Sequence, residues 1–149
     1  MDQIWERIQA VAEKNNGFIK TAQVEQLGIS RPMLRKYTEA GKLEQVCKGL
    51  YILASDIADE YALLQARSKF AVFSYGTALF LWGLSDRTPH TYDITVPRGT
   101  NVSLLKRDNP NLRCHYVKSD TYEIGISETA SPQGATVRVY DKERCIGDL

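Results

Sequence analysis

Positively charged side chains are concentrated between residues 31 and 48, a stretch with five lysines and arginines but only two carboxylates. Arginine can donate two hydrogen bonds to the O6 and N7 atoms of guanine, and both residue types attract phosphate. Residues 58–149 carry 11 positive and 11 negative groups, so the excess of +3 is local. A local excess fits a small DNA-reading module better than a non-specific polycation. The alternative interpretation is an ordinary solvated helix face.

Three short helices are predicted around this stretch. Apolar residues recur at helical spacing over residues 2–15, and a second helix runs from Thr21, a good N-cap, to Gly28. Ser30 caps a third helix, which has Pro32 in its first turn, where a missing N–H is tolerated. Helix, tight turn and helix is the helix-turn-helix pattern.

The residues after the third helix predict a hairpin. The segment 43–53 alternates in polarity around Lys48–Gly49, which we place at the turn. A hairpin directly after a helix-turn-helix is a wing. We therefore interpret residues 1–55 as a winged helix-turn-helix DNA-binding domain.

Eight residues are predicted to contact DNA. In a helix-turn-helix the N-terminal part of the last helix enters the major groove, and helix N-termini and short polar side chains position phosphates. The predicted inward side chains of the third helix are Met33, Leu34, Tyr37 and Ala40, which leaves its basic residues outside. The predicted contacts are Lys20, Thr21, Gln23, Ser30, Arg31, Arg35, Lys36 and Lys48.

The rest of the chain predicts an α+β arrangement. Residues 56–69 are interpreted as a linking helix capped by Asp56, and residues 70–149 as an effector domain with a small, mostly antiparallel sheet. A helix is predicted over residues 74–81. The predicted strands are residues 91–96, 112–117, 122–126 and 135–140, with a hairpin connection over residues 127–134. A helix is predicted to begin after Asp141 as its N-cap, and the sequence ends about two turns into it. This is expected of either a fragment or a natural short form.

No catalytic motif is recognised in the second half. The chain has no P-loop, G-x-G-x-x-G or G-x-S-x-G pattern. Its three cysteines are widely spaced without a C-x-x-C pair, and Cys114–His115 would point to opposite faces of a strand, which disfavours disulfide and metal sites. Asp93 could hold a metal with Asp86 or Glu123, as in a nuclease. Alternatively, Asp93 pairs with Arg98 or caps a turn. We expect no catalytic activity, no metal and no cofactor.

A second group of positive residues surrounds and follows a Pro-Arg-Gly turn. It could be additional DNA surface, a protein-binding face or a solvated rim of the domain. Its members are Arg98, Lys106, Arg107, Arg113 and Lys118.

The sequence also carries information on location. No apolar run approaches the ~18 residues that a membrane-spanning helix needs. The N-terminal segment "MDQIWERIQ" lacks the apolar region of a secretory signal. We expect a cytoplasmic protein without a membrane partner.

The sequence resembles a family of bacterial phage-defence regulators. The stretch "TAQVEQLGISRPMLRKYTEAGKLEQVCKGLYIL" is similar to the N-terminal domain of AbiEi-type antitoxins, the repressor half of the AbiE abortive-infection systems. Its fingerprint is a Leu-Gly-Ile-Ser-Arg turn, a Leu-Arg-Lys helix, and a Gly-Lys-Leu-Glu run into Lys-Gly-Leu-Tyr. Further similarity lies in "FSYGTALFLWGLSDRTP", "ITVPRG", "HYVK" and "GATVRVYDKERCIGDL".

The resemblance implies a two-part protein. Its winged helix would bind inverted repeats in the promoter of its own operon and repress transcription, with Ser30, Arg31, Arg35, Lys36 and Lys48 at the DNA. The downstream domain would supply antitoxin activity against a nucleotidyltransferase-like toxin, directly or indirectly. Binding to an inverted repeat would favour a homodimer on the DNA. The alternatives are a module that neutralises a toxin by direct contact and a general winged-helix regulator.

Overall fold

The computed structural model describes residues 3–56 and 58–148. The chain divides into two compact units, Met1–Ala58 and Asp59–Leu149. Each unit has its own helices and its own sheet, so the predicted α+β class is confirmed.

The first unit combines short helices with an antiparallel sheet. Its elements, in chain order, are α1 (Gln3–Lys14), β1 (Phe18–Lys20), α2 (Thr21–Gln26), α3 (Arg31–Glu39), β2 (Leu43–Cys47) and β3 (Leu50–Leu53). The sheet order is β1-β3-β2, with both pairings antiparallel. The hairpin predicted over residues 43–53 is therefore present, and its second strand also pairs with β1.

One apolar core holds the first unit together. The helical spacing of the apolar residues in α1 places Ile8 and Ala12 on its inner side, where they meet side chains from α2, α3 and β2. Full burial of a side chain such as Ile8 or Leu34 contributes about 1.5–3 kcal/mol. The buried members of the core are Ile8, Ala12, Ile19, Val24, Ile29, Leu34, Tyr37 and Leu43.

The second unit is built around a five-stranded mixed sheet. Its elements, in chain order, are α4 (Glu60–Arg67), β4 (Val72–Phe73), α5 (Tyr75–Leu81), β5 (Tyr92–Pro97), α6 (Ser103–Asp108), β6 (Leu112–Val117), α7 (Ser119–Tyr122), β7 (Ile126–Ala130), β8 (Thr136–Tyr140) and α8 (Lys142–Gly147). The strand order is β6-β5-β4-β8-β7. The helix predicted after Ser74 and the helix predicted after Asp141 are both present.

The prediction of a mostly antiparallel sheet is wrong. β5 and β6 run parallel, as do β4 and β8, while only the β4–β5 and β7–β8 pairs are antiparallel. The short helix α6, which the sequence did not reveal, carries the chain back between β5 and β6. A crossover of this kind makes the two strands parallel.

The strand predicted over residues 122–126 is also wrong. Residues 119–122 form α7, and the chain turns at Gly125, whose φ of +82° is readily adopted only by glycine. The true strand β7 begins at Ile126 and occupies the first half of the predicted hairpin connection. Its turn to β8 lies at residues 131–135.

Helix α4 is an integral element of the second unit rather than a linking helix. Its N-cap is Asp59, whose Oδ1 accepts a hydrogen bond from the backbone N–H of Ala62, and not Asp56 as predicted. Gln65 in its centre is buried and hydrogen-bonded to the backbone of Arg138 in β8. These contacts fix the helix against the sheet.

Among residues 3–56 and 58–148, no helix has the length and apolar character needed to cross a membrane.

Candidate nucleic-acid interface

Helix α3 has one buried side and one charged side. Leu34 and Tyr37 are buried in the core and Met33 is half-buried, as predicted from their spacing. The prediction for Ala40 is wrong, because this residue is the C-cap of the helix and is exposed. The chain enters this helix through a tight turn in which Gly28 has a φ of +82° and Ile29 donates its N–H to the carbonyl of Val24. The turn and the buried side chains therefore determine which side of α3 faces solvent.

The outer side of α3 carries the basic residues, which we call the basic helix face: Arg31, Arg35 and Lys36. All three are exposed. Among the described residues, no carboxylate lies within 4 Å of Arg35 or Lys36. Their charge is thus available to an anionic partner.

Arg31 is different because it already has a partner. Its Nε lies 2.7 Å from Oε1 of Glu25 at the end of α2, and the two side chains are 76% and 44% exposed. An exposed pair of this kind contributes little to stability, on the order of 0–1 kcal/mol. Glu25 nevertheless offsets one positive charge of the basic helix face. The sequence reasoning missed this pair because its members lie on different helices.

Ser30 occupies the N-cap of α3, as predicted. Its backbone is extended, with φ −83° and ψ 160°, and its carbonyl accepts hydrogen bonds from the backbone N–H groups of Met33 and Leu34. The Ser30 hydroxyl makes no capping hydrogen bond and the residue is exposed. This hydroxyl is therefore free to bind a ligand at the start of α3.

The start of α2 and the tip of the hairpin lie side by side. The backbone N–H of Thr21 donates to the carbonyl of Gly49 at 3.0 Å, and Lys20 is paired with Leu50 in the sheet. Lys20, rather than the predicted Thr21, is the N-cap of α2. Lys48 is exposed in the adjoining turn, so the fold brings Lys20, Thr21 and Lys48 to one edge of the unit.

Gln23 is half-buried, and its side chain contacts α1. Its Nε2 is 3.4 Å from Oδ1 of Asn15 at the end of α1, and its Oε1 is buried without a hydrogen-bond partner among the described residues. Its amide is therefore directed largely toward α1. The structure gives Gln23 a position between helices, away from the basic helix face.

Lys42 is the one positive residue of the 31–48 stretch that packs on aromatic rings. Its Nζ lies 5.3 Å from the ring centroid of Trp5 and 5.7 Å from that of Tyr37. The two rings are themselves 5.2 Å apart. Such cation–π contacts contribute about 0.5–1 kcal/mol at exposed sites, so Lys42 has a structural role.

In the second unit, Asp93 is buried in a polar cluster. Its Oδ1 lies 3.2 Å from Nε2 of His115 and 3.8 Å from a guanidinium nitrogen of Arg113, and its backbone N–H donates to the hydroxyl of Thr77. The expected pairing with Arg98 is wrong, because Arg98 lies beyond the other end of β5. Among the described residues, no group of three or more acidic, histidine or cysteine side chains is placed to hold a metal ion.

The second group of basic residues does not form one patch. Arg113 lies opposite Asp93 near the start of β6. Arg98 follows Pro97, which pairs with Val117 at the far end of β5, four register positions from the Asp93–Arg113 pair. Lys106 lies over the ring of Tyr116, and Arg107 is bonded to Asp108. Hydrogen bonds from Arg67 and Arg107 lower the pKa of the Asp108 carboxyl. Arg98 and Lys118 lie at the same edge of the sheet, since the backbone N–H of Arg98 donates to the carbonyl of Val117, the residue before Lys118.

The part of the chain that carries the basic helix face matches a family of transcriptional regulators. Residues 6–54 match the family model described as "Transcriptional regulator, AbiEi antitoxin". The match runs from α1 to the end of the hairpin and covers a third of the chain, and the resemblance inferred from the sequence is confirmed for these residues. The family description names a regulator and no enzyme activity. Among curated proteins, none matches the chain at a significant level.

Proposed function

We propose that residues 1–55 form a winged helix-turn-helix that binds double-stranded DNA, with α3 as the recognition helix and the β2–β3 hairpin as the wing. The observation that carries this proposal is that Arg35 and Lys36 are exposed on the outer side of a helix whose inner side is buried in the core. Neither has a carboxylate within 4 Å among residues 3–56 and 58–148. The order helix, strand, helix, helix, hairpin supports this assignment. The family match over the same residues supports it independently.

The proposed contacts divide into two kinds. Arg31, Arg35 and Lys36 reach base edges or phosphates from the major groove, because arginine pairs with guanine and both side chains attract the backbone. The half-buried Lys20 and Thr21 and the exposed Ser30 and Lys48 bind phosphates and fix the register of the protein on the duplex. Gln23 of α2 contributes to DNA binding indirectly, because its side chain packs against the end of α1 and helps to position α2.

The regulatory role that we propose is autorepression of a toxin–antitoxin operon of the abortive-infection type. The protein would act in the cytoplasm and bind inverted repeats in its promoter as a homodimer. The second unit would supply antitoxin activity toward a nucleotidyltransferase-like toxin, directly or indirectly. The resemblance of the chain to AbiEi-type antitoxins supports this role.

The DNA-binding proposal is tested by gel shift with the promoter region upstream of the chain's own gene. The variant Arg35→Ala, Lys36→Ala should bind more weakly than the wild type at fixed salt. Each lost phosphate contact should also reduce the slope of log K against log salt by about 0.9. The matched control is Arg7→Ala, Lys14→Ala, which removes the same charge from exposed positions on α1.

Retained affinity in the Arg35 and Lys36 variant would contradict the assignment of α3 as the recognition helix. An equal loss of DNA affinity in the α1 control would indicate that the protein attracts DNA through its overall charge and not through a defined contact surface. The two outcomes are separable because the variants have the same net charge.

The antitoxin role is tested separately with the full chain. Growth rescue of cells that express the cognate toxin should persist in the variant that no longer binds DNA. Stable co-purification of the toxin would favour neutralisation by contact, whereas rescue without a complex would favour an indirect route. Failure of both wild type and variant to rescue growth would refute the antitoxin role.

A further inference from the structure

The second unit contains a cleft at the carboxyl end of the parallel strands β5 and β6. The cleft has a volume of about 580 Å³ and lies between the residues that precede β4 and the loop that follows β5. Its two sides are residues 67–70 and residues 97–101, with Ser119 at one end. A smaller hollow of about 220 Å³ adjoins it and shares Arg67, Ser68 and Asn101. In sheets with parallel strands, ligands bind at this edge, where the loops after adjacent strands diverge.

The first side of the cleft, residues 67–70, is fixed by hydrogen bonds from side chains elsewhere in the second unit. Arg138 of β8 donates hydrogen bonds from one guanidinium nitrogen to the carbonyls of Lys69 at 2.9 Å and Ala71 at 3.1 Å. The hydroxyl of Tyr122 donates to the carbonyl of Phe70 at 2.6 Å. These bonds fix the backbone of the segment while leaving the side chains of Lys69 and Phe70 exposed.

The opposite side is fixed in a similar way. The backbone N–H of Arg98 donates to the carbonyl of Val117 at 2.8 Å, which ties the loop to the end of β6. The hydroxyl of Thr100 donates to the carbonyl of Pro97 at 2.8 Å, which closes the turn around Gly99. Because both sides are ordered by backbone contacts, a ligand would find the cleft preformed and lose less entropy on binding.

The cleft is positively charged and has an aromatic side chain at its rim. Its lining includes three cations, Arg67, Lys69 and Arg98, and no carboxylate among the described residues. Arg67 is offset by Asp108 at 2.7 Å, whereas Arg98 has no carboxylate within 4 Å in the part of the chain that the structure describes. Phe70 is 43% exposed, with the amine of Lys69 5.3 Å from its ring centroid.

These features match the two ends of a nucleotide. An unpaired guanidinium beside an ammonium binds phosphate oxygens, and an exposed phenyl ring stacks with a base. The hydroxyls of Ser68, Thr100 and Ser119 are suited to a sugar. A polynucleotide would need a groove that follows several phosphates. The lining of this cleft, by contrast, has one aromatic ring and one arginine that lacks a carboxylate partner among the described residues.

We propose that the cleft between residues 67–70 and 97–101 binds a mononucleotide, with Arg98 and Lys69 at the phosphates and Phe70 against the base. All of the residues that line the site belong to the second unit. It gives this unit a small-molecule ligand that the family description does not mention.

The proposal is tested by isothermal titration calorimetry of the full chain with ATP, GTP, adenosine and inorganic phosphate. ATP or GTP should bind saturably at one site. Arg98→Gln should weaken this binding about 10- to 100-fold, the range expected for a charge-assisted hydrogen bond. Arg87→Gln is the matched control, because Arg87 is exposed in the same unit but does not line the cleft.

Two further measurements separate a nucleotide from related ligands. Phe70→Leu keeps an apolar side chain but removes the ring, and should weaken nucleotide binding about fivefold or more without changing the melting temperature. A single-stranded oligonucleotide of about ten residues is titrated into the Arg35→Ala, Lys36→Ala variant, in which contacts from α3 are removed.

Four results would overturn the proposal. They are the absence of saturable binding by both ATP and GTP, an equal loss in the Arg87 control, binding of inorganic phosphate as tight as that of ATP, and binding of the oligonucleotide in the absence of binding by either nucleotide. Because Arg98, Arg87 and Phe70 are all exposed, the variants are expected to fold, which circular dichroism would verify.

Discussion

Gln65 completes the hydrogen bonding of a strand whose neighbour is too short. β4 has only two residues and pairs with β8 through Phe73 and Val139. One residue earlier in β8, the Oε1 of Gln65 accepts the backbone N–H of Arg138 at 2.8 Å, and its Nε2 donates to the carbonyl of Arg138 at 2.6 Å and that of Ala71 at 3.2 Å. The side-chain amide thus replaces a peptide group that the strand does not provide.

Replacement of Gln65 by leucine should destabilise the second unit. Leucine retains the size and apolar contacts of the side chain but leaves the N–H and C=O of Arg138 without these partners. A buried polar group that loses its partner costs about 1–3 kcal/mol. Since two such groups are affected, we expect the free energy of unfolding to fall by about 2–5 kcal/mol.

The measurement uses the fact that each unit has one tryptophan, Trp5 in the first and Trp82 in the second. Urea denaturation in a Trp5→Phe background then reports on the second unit through Trp82, whose indole N–H donates to the carbonyl of Tyr140. Gln133→Leu, at an exposed turn position, is the control and should change stability by less than about 0.5 kcal/mol. A loss below about 1 kcal/mol in Gln65→Leu would refute the reasoning.

Three other perturbations test separate features. Glu25→Gln releases Arg31, so we expect tighter promoter binding and a steeper salt dependence in the gel shift; unchanged binding would exclude Arg31 from the interface. Burial raises the pKa of the Cys145 thiol to about 11. The folded state therefore holds this proton more tightly than the unfolded state does. The contribution of the protonated thiol to the free energy of unfolding is complete below about pH 9, and about 2–3 kcal/mol of it is lost as the pH rises to 11. Urea denaturation at pH 8 and 10.5 should show a smaller loss in Cys145→Ala than in the wild type, and an equal loss would contradict the assignment. Gly125→Ala should cost about 1–3 kcal/mol, because a Cβ would lie 3.0 Å from a side-chain carbon of the neighbouring helix in addition to the strain of a positive φ. Gly134→Ala has a similar φ but open space around it, so equal melting temperatures for the two variants would exclude the steric contribution.

Local signals in the sequence located the first unit well. Ser30 and Pro32 mark the start of α3, and the apolar spacing of Leu34 and Tyr37 identifies its buried side. These are effects between residues a few positions apart, which a sequence displays directly. The position of the N-cap of α2 was missed by one residue, since Thr21 is a good capping residue but the helix begins with it.

Long-range pairing in the second unit could not be predicted in this way. Tyr122, Ile124 and Ile126 alternate as in a strand, yet Tyr122 ends a short helix and Ile124 is 62% exposed. The parallel pairing of β5 with β6 depends on the six-residue helix α6, which is too short to give a clear helical period. The local spacing of apolar residues in these segments does not indicate which strands will pair in the folded sheet.

The same distinction applies to the candidate sites. The basic residues of α3 were evident from charge and spacing, whereas the partner of Arg31 lies on another helix. The cleft was not foreseen, because its two sides are about 30 residues apart in the chain and meet only when β4 and β5 pair. The sequence identifies Arg98 as basic but does not show that no carboxylate lies within 4 Å of it among the described residues.

The hydrogen bond from Thr21 to Gly49 has a consequence for how the first unit would adapt to a duplex. The start of α2 and the tip of the hairpin share this bond and a continuous sheet, so neither can move without the other. The spacing between phosphates contacted by Lys20 and by Lys48 would therefore be set by the protein. Such a rigid pair would lose little conformational entropy on binding, but it could not adjust to a wider or narrower groove. We expect the protein to select DNA whose groove already has the required width.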